Sequence, residues 1–129
     1  MVRFLLGTFF VLHGLVHFWY VTLSQRLVEF QPEMGWSGNS WILSNPVGDS
    51  FTRLLAGGLF SLAALAFTAS GIGVYIQAGW TRPVLIAAAV LSSAVIFLFW
   101  DGKSQMLVEK GLLGLLINLA ILAGLLFFR

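Results

Sequence analysis

Four long apolar stretches dominate this sequence and restrict the folds that are open to it. They run approximately over residues 4–23, 51–76, 83–100 and 107–128. A helix needs roughly 20 predominantly apolar residues to cross a hydrocarbon core of about 30 Å, and each stretch is near that length. The runs are continuous rather than short and alternating, which favours helices over the strands of a membrane β-barrel. We therefore predict an all-α fold, a four-helix transmembrane bundle that forms a single integral membrane domain over residues 1–129.

The composition of the chain agrees with a protein that packs in lipid. Hydrophobic residues make up 59% of the chain and charged residues 9%, whereas a soluble domain is about one-quarter charged. The net charge of +2 includes no basic cluster, so nucleic acid is not an expected partner. The absence of cysteine excludes disulfides, thiolate catalysis and cysteine-ligated metal sites. The expected partner is a lipid bilayer, with other membrane proteins or a second copy of the chain as further candidates.

The connections between the stretches predict how the helices are arranged. Short connections at residues 77–82 and 101–105 make the second, third and fourth helices antiparallel neighbours. The first connection, from Ser24 to Ser50, is a long outer loop that carries Trp36 and Trp41. Because such side chains seek an interface or a cleft, we expect this loop to lie on the helix ends as a partial lid.

The number of helices also bears on the orientation of a multi-pass protein. An even number places both termini on one side, together with Arg3, Arg82 and Arg129. Lys and Arg residues are nearly balanced between the two sides, so the positive-inside rule does not decide. We expect the long Trp-bearing loop to face outward. Both termini lie on the opposite side of the membrane from this loop, so they are predicted to be cytoplasmic.

Two histidines four residues apart are the strongest sign of chemistry in the sequence. A spacing of four places His13 and His17 on one face of the first helix. His13 is near the middle of its stretch, a depth at which ionisable groups are costly and by default functional candidates. Tyr20 and Ser24 continue the same face, which predicts a polar line from mid-membrane to the surface.

Three interpretations of the histidine pair remain open. Neutral imidazoles could hydrogen-bond across the bundle and hold the helices in register. His13 and His17 could also supply two ligands to a metal ion such as zinc or copper, although the sequence offers no recognisable third ligand. The third interpretation is a pocket for an amphipathic ligand such as a quinone, whose carbonyl oxygens would accept hydrogen bonds from imidazole N–H groups.

Asn118 is predicted to belong to the same site. It is a strongly polar residue of the fourth stretch and shares a helical face with Gly111 and Gly114. Small residues beside a polar one mark an inward, closely packed face. We expect a hydrogen bond between Asn118 and His13, and the same face would also form a pocket wall.

Asp101 follows the third stretch, at the membrane edge on the His17 side of the bundle. We expect it to cap the next turn or to pair with Arg53 or Lys103. A carboxylate close to His17 would also form a short proton relay with it, so Asp101 is included among the predicted ligand-binding residues.

The beginning of the chain has a recognisable pattern. Arg3-Phe4-Leu5-Leu6-Gly7 is followed by a run that contains Gly14 and ends at His17. With four apolar stretches in a chain of this length, the pattern resembles the DoxX-like small membrane proteins. The resemblance implies a compact four-helix bundle, and some members are linked to quinone-dependent sulfur oxidation or to respiratory complexes as small subunits. It carries over no catalytic residue.

The predicted function is that of a small integral membrane protein that binds a hydrophobic ligand near His13 and His17. A quinone is the first candidate for this ligand, and a redox complex is the expected setting. No nucleophile elbow, phosphate-binding loop or HExxH motif is present, which does not favour an autonomous enzyme. One alternative is a structural or assembly subunit of a membrane complex. The other is a transporter of a metal ion or proton, along the line from His13 through His17 to Asp101.

Overall fold

The computed structural model describes residues 1–127 and is 72% helical, without a strand in that range. Its helices are α1 (Val2–Ser24), α2 (Ser44–Val47), α3 (Asp49–Ile76), α4 (Thr81–Leu98) and α5 (Leu112–Phe127). A short 3-10 helix, Pro32–Met34, lies between α1 and α2. The predicted all-α class is confirmed. Phe128 and Arg129, which entered the predicted fourth helix and the orientation argument, lie outside the described residues.

Three of these helices, α1, α3 and α4, are long and apolar enough to cross a membrane, at 23, 28 and 18 residues. Only 28 to 39% of the residues in their most apolar windows are buried, so many of their apolar side chains are partly or fully exposed. Leu12, Val16, Leu62, Leu65 and Val90 are examples, each about half exposed. Soluble monomers rarely expose apolar patches larger than a few hundred Å². The surface of these helices is therefore typical of a membrane protein.

The predicted fourth helix is wrong at its beginning. Residues 105–111 form turns, and α5 begins at Leu112. Gly111 has a φ of 107°, and the N–H groups of Gly111 and Leu112 donate to the carbonyl oxygens of Val108 and Leu107. This is the Schellman arrangement, in which a residue with positive φ ends a helical turn. The predicted helix ran through this break because Leu107 and Val108 before it are as apolar as Leu112 after it, although the charged Glu109 and Lys110 lie between them.

The long helices pack in chain order, with α1 along α3, α3 against α4 and α4 against α5. The predicted adjacency of the second, third and fourth helices is confirmed. Glycines allow the close approach of α1 and α3, since a Cβ on Gly71 would lie 2.6 Å from the carbonyl oxygen of Gly7. A Cβ on Gly14 would likewise lie 2.8 Å from the carbonyl oxygen of Ala64. The backbones of α1 and α5 make little contact, which leaves a groove between them.

The connection between α1 and α3 is not an uninterrupted loop, because it contains the 3-10 helix and α2. Ser40 Oγ donates to the carbonyl oxygen of Leu98 at 2.6 Å, and the backbone N–H of Trp41 donates to that of Trp100 at 2.7 Å. These bonds attach the segment to the end of α4. Trp36 is 2% exposed and Trp41 is 46% exposed. The segment therefore packs against the helix ends with Trp36 buried, while its role as an outer lid stays a prediction.

Candidate functional site

A buried polar cluster joins α1, α4 and α5. It consists of His13 and His17 from α1, Ser92 from α4 and Asn118 from α5, and we call it the histidine cluster. His13 is 7% exposed and His17 is 3% exposed, while Ser92 and Asn118 have no exposed surface. The predicted inward orientation of both histidines is therefore confirmed.

Four hydrogen bonds connect the histidine cluster in a closed ring. His17 Nδ1 is 2.9 Å from the carbonyl oxygen of His13 and therefore donates to it. With this ring neutral, His17 Nε2 is an acceptor and receives the hydroxyl proton of Ser92 at 2.6 Å. Ser92 Oγ accepts from Asn118 Nδ2 at 2.8 Å, and Asn118 Oδ1 accepts from His13 Nε2 at 2.9 Å. The predicted bond between Asn118 and His13 is confirmed. The carbonyl oxygen of His13 fixes the tautomer of His17. The succession of donors and acceptors then fixes the orientation of the Asn118 amide and the tautomer of His13.

Ser92 is the member of the cluster that sequence reasoning missed. It lies in a stripe of small residues with Ala89 and Ser93, which predicts packing rather than a site. Its role depends on how α4 is rotated about its axis, because that rotation decides which of two adjacent serines meets α1 and α5. A helix that is apolar on all sides carries a weak signal for this rotation.

Aromatic rings enclose the histidine cluster. The ring of Phe67 lies edge-on to that of His13, with 4.6 Å between the centroids. Tyr20 stacks on Phe60 with centroids 5.0 Å apart, and its hydroxyl donates to the carbonyl oxygen of Glu109 at 3.1 Å. Edge-to-face and stacked pairs of this kind hold their partners in defined orientations. Hydrogen bonds and aromatic contacts therefore hold this group of polar side chains in place within an apolar interior.

A cavity of about 170 Å³ lies beside the histidine cluster, between α1 and α5. We call it the head cavity. Its lining residues are His13, Val16, His17, Tyr20, Ile96, Val108, Gly111, Leu113, Gly114 and Ile117. The predicted glycine face forms part of its wall. An apolar cavity of about 150 Å³ is large enough to hold benzene, so the head cavity matches the size of one six-membered ring.

A second cavity, of about 520 Å³, continues between the same two helices toward the beginning of α1. We call it the tail cavity. It is lined by Leu6, Phe9, Phe10, Ile117, Ala120, Ile121, Gly124 and Leu125, all without polar side chains. Ile117 lines both cavities. The groove between α1 and α5 therefore has a polar end and an apolar end.

Asp101 makes one contact that was expected and one that was not. Its carboxylate pairs with Lys110 Nζ at 2.9 Å and accepts from the backbone N–H of Lys103 at 3.0 Å. The prediction that Asp101 caps the next turn is confirmed. The alternative, an ion pair with the side chain of Arg53 or Lys103, is not formed within residues 1–127, where Arg53 pairs with Asp49 and Asp101 pairs with Lys110. The turn at residues 105–111 brings Lys110 back toward Asp101, whereas the predicted fourth helix had placed Lys110 inside a helix.

The structure bears differently on the metal and relay hypotheses. Within residues 1–127, no group of three His, Asp or Glu side chains is placed to hold a metal ion. His13 and His17 supply two side chains, and each Nε2 atom is already engaged. Over the same residues, no hydrogen bond joins Asp101 to either histidine. The role of Asp101 in ligand binding stays a prediction.

The fold and the site together define an all-helical chain with three helices able to cross a membrane, a buried histidine cluster and an adjoining groove. Comparisons with family models, curated proteins and solved structures return no match to this chain. Its function is therefore argued from the site.

The two adjacent serines of α4 provide a matched test of the ring. Ser92→Ala is expected to lower the free energy of unfolding by about 2 kcal/mol, because it leaves Asn118 Nδ2 and His17 Nε2 buried without partners. Ser93→Ala is expected to change it by less than about 0.5 kcal/mol, since Ser93 Oγ bonds only the carbonyl oxygen of Ala89 in its own helix. Denaturant titration in detergent micelles measures both. Equal effects would contradict a stabilising ring.

Proposed function

We propose that this chain is an integral membrane protein that binds a single-ring amphipathic ligand of the quinone class in the groove between α1 and α5. The head cavity against the histidine cluster carries the proposal, because it combines the volume of one ring with polar atoms inside an apolar interior. The ring of the ligand occupies the head cavity, against His13, His17 and Tyr20. Its apolar chain lies along the tail cavity, which has no polar side chain.

The membrane arrangement that goes with this function has four passes. α5 contains no charged residue, and we propose that it crosses the bilayer beside α1, α3 and α4. Both termini then lie on the cytoplasmic side, and the connection that carries Trp36 and Trp41 faces outward. The groove between α1 and α5 opens to lipid, from which an amphipathic ligand enters. The resemblance to DoxX-like proteins, some of them linked to quinone-dependent reactions, agrees with this ligand class.

The glycines of α5 favour ligand binding over a purely structural role. A Cβ on Gly114 would meet only Ile96 Cδ1, at 3.4 Å, and a Cβ on Gly124 would meet nothing within 4 Å. On the face between α1 and α3, by contrast, a Cβ would collide with backbone atoms. The glycines at Gly114 and Gly124 therefore leave room beside α1 rather than drawing two backbones together, as a scaffold would require.

Filling the head cavity tests the proposal. Gly114→Leu is expected to lower the affinity for a benzoquinone with a decyl tail at least about tenfold, whichever redox form binds, because the new side chain takes the place of the ring. Gly58→Leu is the matched control, since Gly58 lies in α3 away from the groove and has nothing within 4 Å of its Cβ position. Bound ligand is extracted and quantified from protein in lipid nanodiscs, with empty nanodiscs as the background.

Two results would contradict the proposed function. One is that the parent protein retains no more of either redox form than empty nanodiscs do. The other is that Gly58→Leu lowers binding as much as Gly114→Leu. Either result would favour a structural or assembly subunit, in which the hydrogen-bonded ring only holds α1, α4 and α5 together.

A further inference from the structure

The hydrogen-bonding character of the head cavity is set by the closed ring beside it. Three of the side chains that line the cavity are polar, namely His13, His17 and Tyr20. His17 has both nitrogens engaged, with Nδ1 donating to a carbonyl oxygen and Nε2 accepting from Ser92. His13 has its single N–H engaged by Asn118. With neutral rings, neither imidazole has an N–H left for a ligand.

His13 Nδ1 is the remaining nitrogen of the pair. No residue of the described range 1–127 bonds to it, and no buried polar side-chain atom in that range lacks a partner. An atom without a partner that is not among the buried ones must keep some accessible surface. His13 Nδ1 is such an atom, although His13 as a whole is only 7% exposed. Because Nε2 carries the ring proton, Nδ1 has a lone pair and can only accept.

Tyr20 has the same character. Its hydroxyl proton is donated to the carbonyl oxygen of Glu109, so Tyr20 Oη offers lone pairs to a second partner. His13 and Tyr20 both line the head cavity, and we infer that His13 Nδ1 and Tyr20 Oη are the side-chain atoms that they offer to it, both as acceptors. A quinone carbonyl is also an acceptor and meets no side-chain donor here, so only the backbone N–H groups of Leu113 and Gly114 in the first turn of α5 could serve it. The hydroxyl of a quinol, by contrast, donates to either side-chain acceptor. A buried acceptor left opposite another acceptor costs its lost hydration.

We propose that the head cavity selects the reduced, hydroxyl-bearing form of its ligand, a quinol rather than a quinone. This inference rests on the proposed function and names the redox state that the site prefers. A quinol hydroxyl donates to His13 Nδ1, and Tyr20 Oη is the second acceptor. The expected role of the imidazole is thus the reverse of the one anticipated from the sequence, in which its N–H donates to a carbonyl oxygen.

Three single-ring probes that share four ring methyl groups and differ in hydrogen bonding test this selectivity. They are tetramethyl-1,4-hydroquinone, tetramethyl-1,4-benzoquinone and the dimethyl ether of the hydroquinone. Full substitution of the ring prevents covalent addition to lysine, and anaerobic buffer prevents oxidation of the hydroquinone. We expect the parent protein in nanodiscs to bind the hydroquinone at least about tenfold more tightly than the other two, the effect of one hydrogen bond in a desolvated site.

His13→Gln identifies the acceptor. The amide nitrogen of Gln takes roughly the place of the imidazole Nε2 and can still donate to Asn118, but the side chain has no counterpart of Nδ1. In this variant we expect the ratio of the affinities for hydroquinone and quinone to fall from about tenfold to about threefold or less. Tyr20→Phe removes the second acceptor while keeping the stacked ring, and is expected to reduce the preference by a smaller factor.

The outcomes separate the two proposals. If quinone and hydroquinone bind equally, or quinone binds more tightly, the selectivity is overturned while the proposed function stands. If His13→Gln binds hydroquinone with undiminished preference, His13 Nδ1 is not the acceptor, and the inference fails. If His13→Gln does not fold, the hydroquinone and the quinone, which are nearly equal in size, still decide the question in the parent protein. If no probe binds, the proposed function itself fails, and with it the selectivity.

Discussion

Lys110→Met is expected to lower the free energy of unfolding by about 3 kcal/mol, because it leaves the Asp101 carboxylate nearly buried without its cation. The two side chains are 5% and 14% exposed, with Lys110 Nζ and Asp101 Oδ2 only 2.9 Å apart. An ion pair with so little access to water is sensitive to the loss of one partner. Denaturant titration of the purified protein in detergent micelles gives the difference.

A double-mutant cycle separates this coupling from simple loss of packing. Asp101→Asn combined with Lys110→Met removes both charges and is expected to be more stable than Lys110→Met alone. Arg26→Met is the exposed control. Its pair with Asp49 has side chains 60% and 46% exposed, so its loss is expected to cost less than about 1 kcal/mol. Strictly additive effects of the two substitutions would show that the buried pair is not coupled.

Gly71→Ala is expected to destabilise the bundle by about 2 to 3 kcal/mol, since α1 and α3 would have to move apart. A Cβ at this position would lie 2.6 Å from the carbonyl oxygen of Gly7 and 2.6 Å from Val11 Cγ2. The first of these neighbours is backbone, which cannot turn away as a side chain can. Thermal unfolding in the same detergent measures the effect.

Gly58→Ala is the control for the helical preference of alanine. Gly58 lies in the same helix, and its Cβ position has nothing within 4 Å. We expect this substitution to be neutral or to stabilise the protein by up to about 1 kcal/mol, because alanine restricts the unfolded chain more than glycine does. If Gly71→Ala is as well tolerated as Gly58→Ala, the close contact between α1 and α3 is not what holds these helices together.

Much of the helical layout could be predicted from the sequence. The first three apolar stretches coincide with α1, α3 and α4 to within two residues at each end. The interior contact of His13 with Asn118 could also be anticipated, because two polar residues at similar depth have few alternatives to each other in an apolar bundle. These predictions depend on hydropathy and on helical periodicity, which are properties of short segments.

Other parts of the site depend on relations between segments. The break at Gly111 shortened the predicted fourth helix and brought Lys110 to Asp101 instead of leaving it within a helix. Ser92 and Ser93 have nearly the same local sequence, yet only Ser92 joins the histidine cluster. The rotation of α4 and the path of the turn before α5 result from packing against other helices. A pattern read along one segment does not contain that information.

The sequence by itself determined that the chain is helical and largely apolar, and that His13 and His17 share one face, because the rise and twist of a helix are the same in every context. Only the tertiary structure decided whether the glycines of α5 meet α1 or leave a cavity beside it, since that distance depends on side chains from several helices. It also decided the direction of each hydrogen bond in the ring. Donor and acceptor roles follow from which atoms face each other across the bundle, and these roles engage the N–H groups of both imidazoles within the ring.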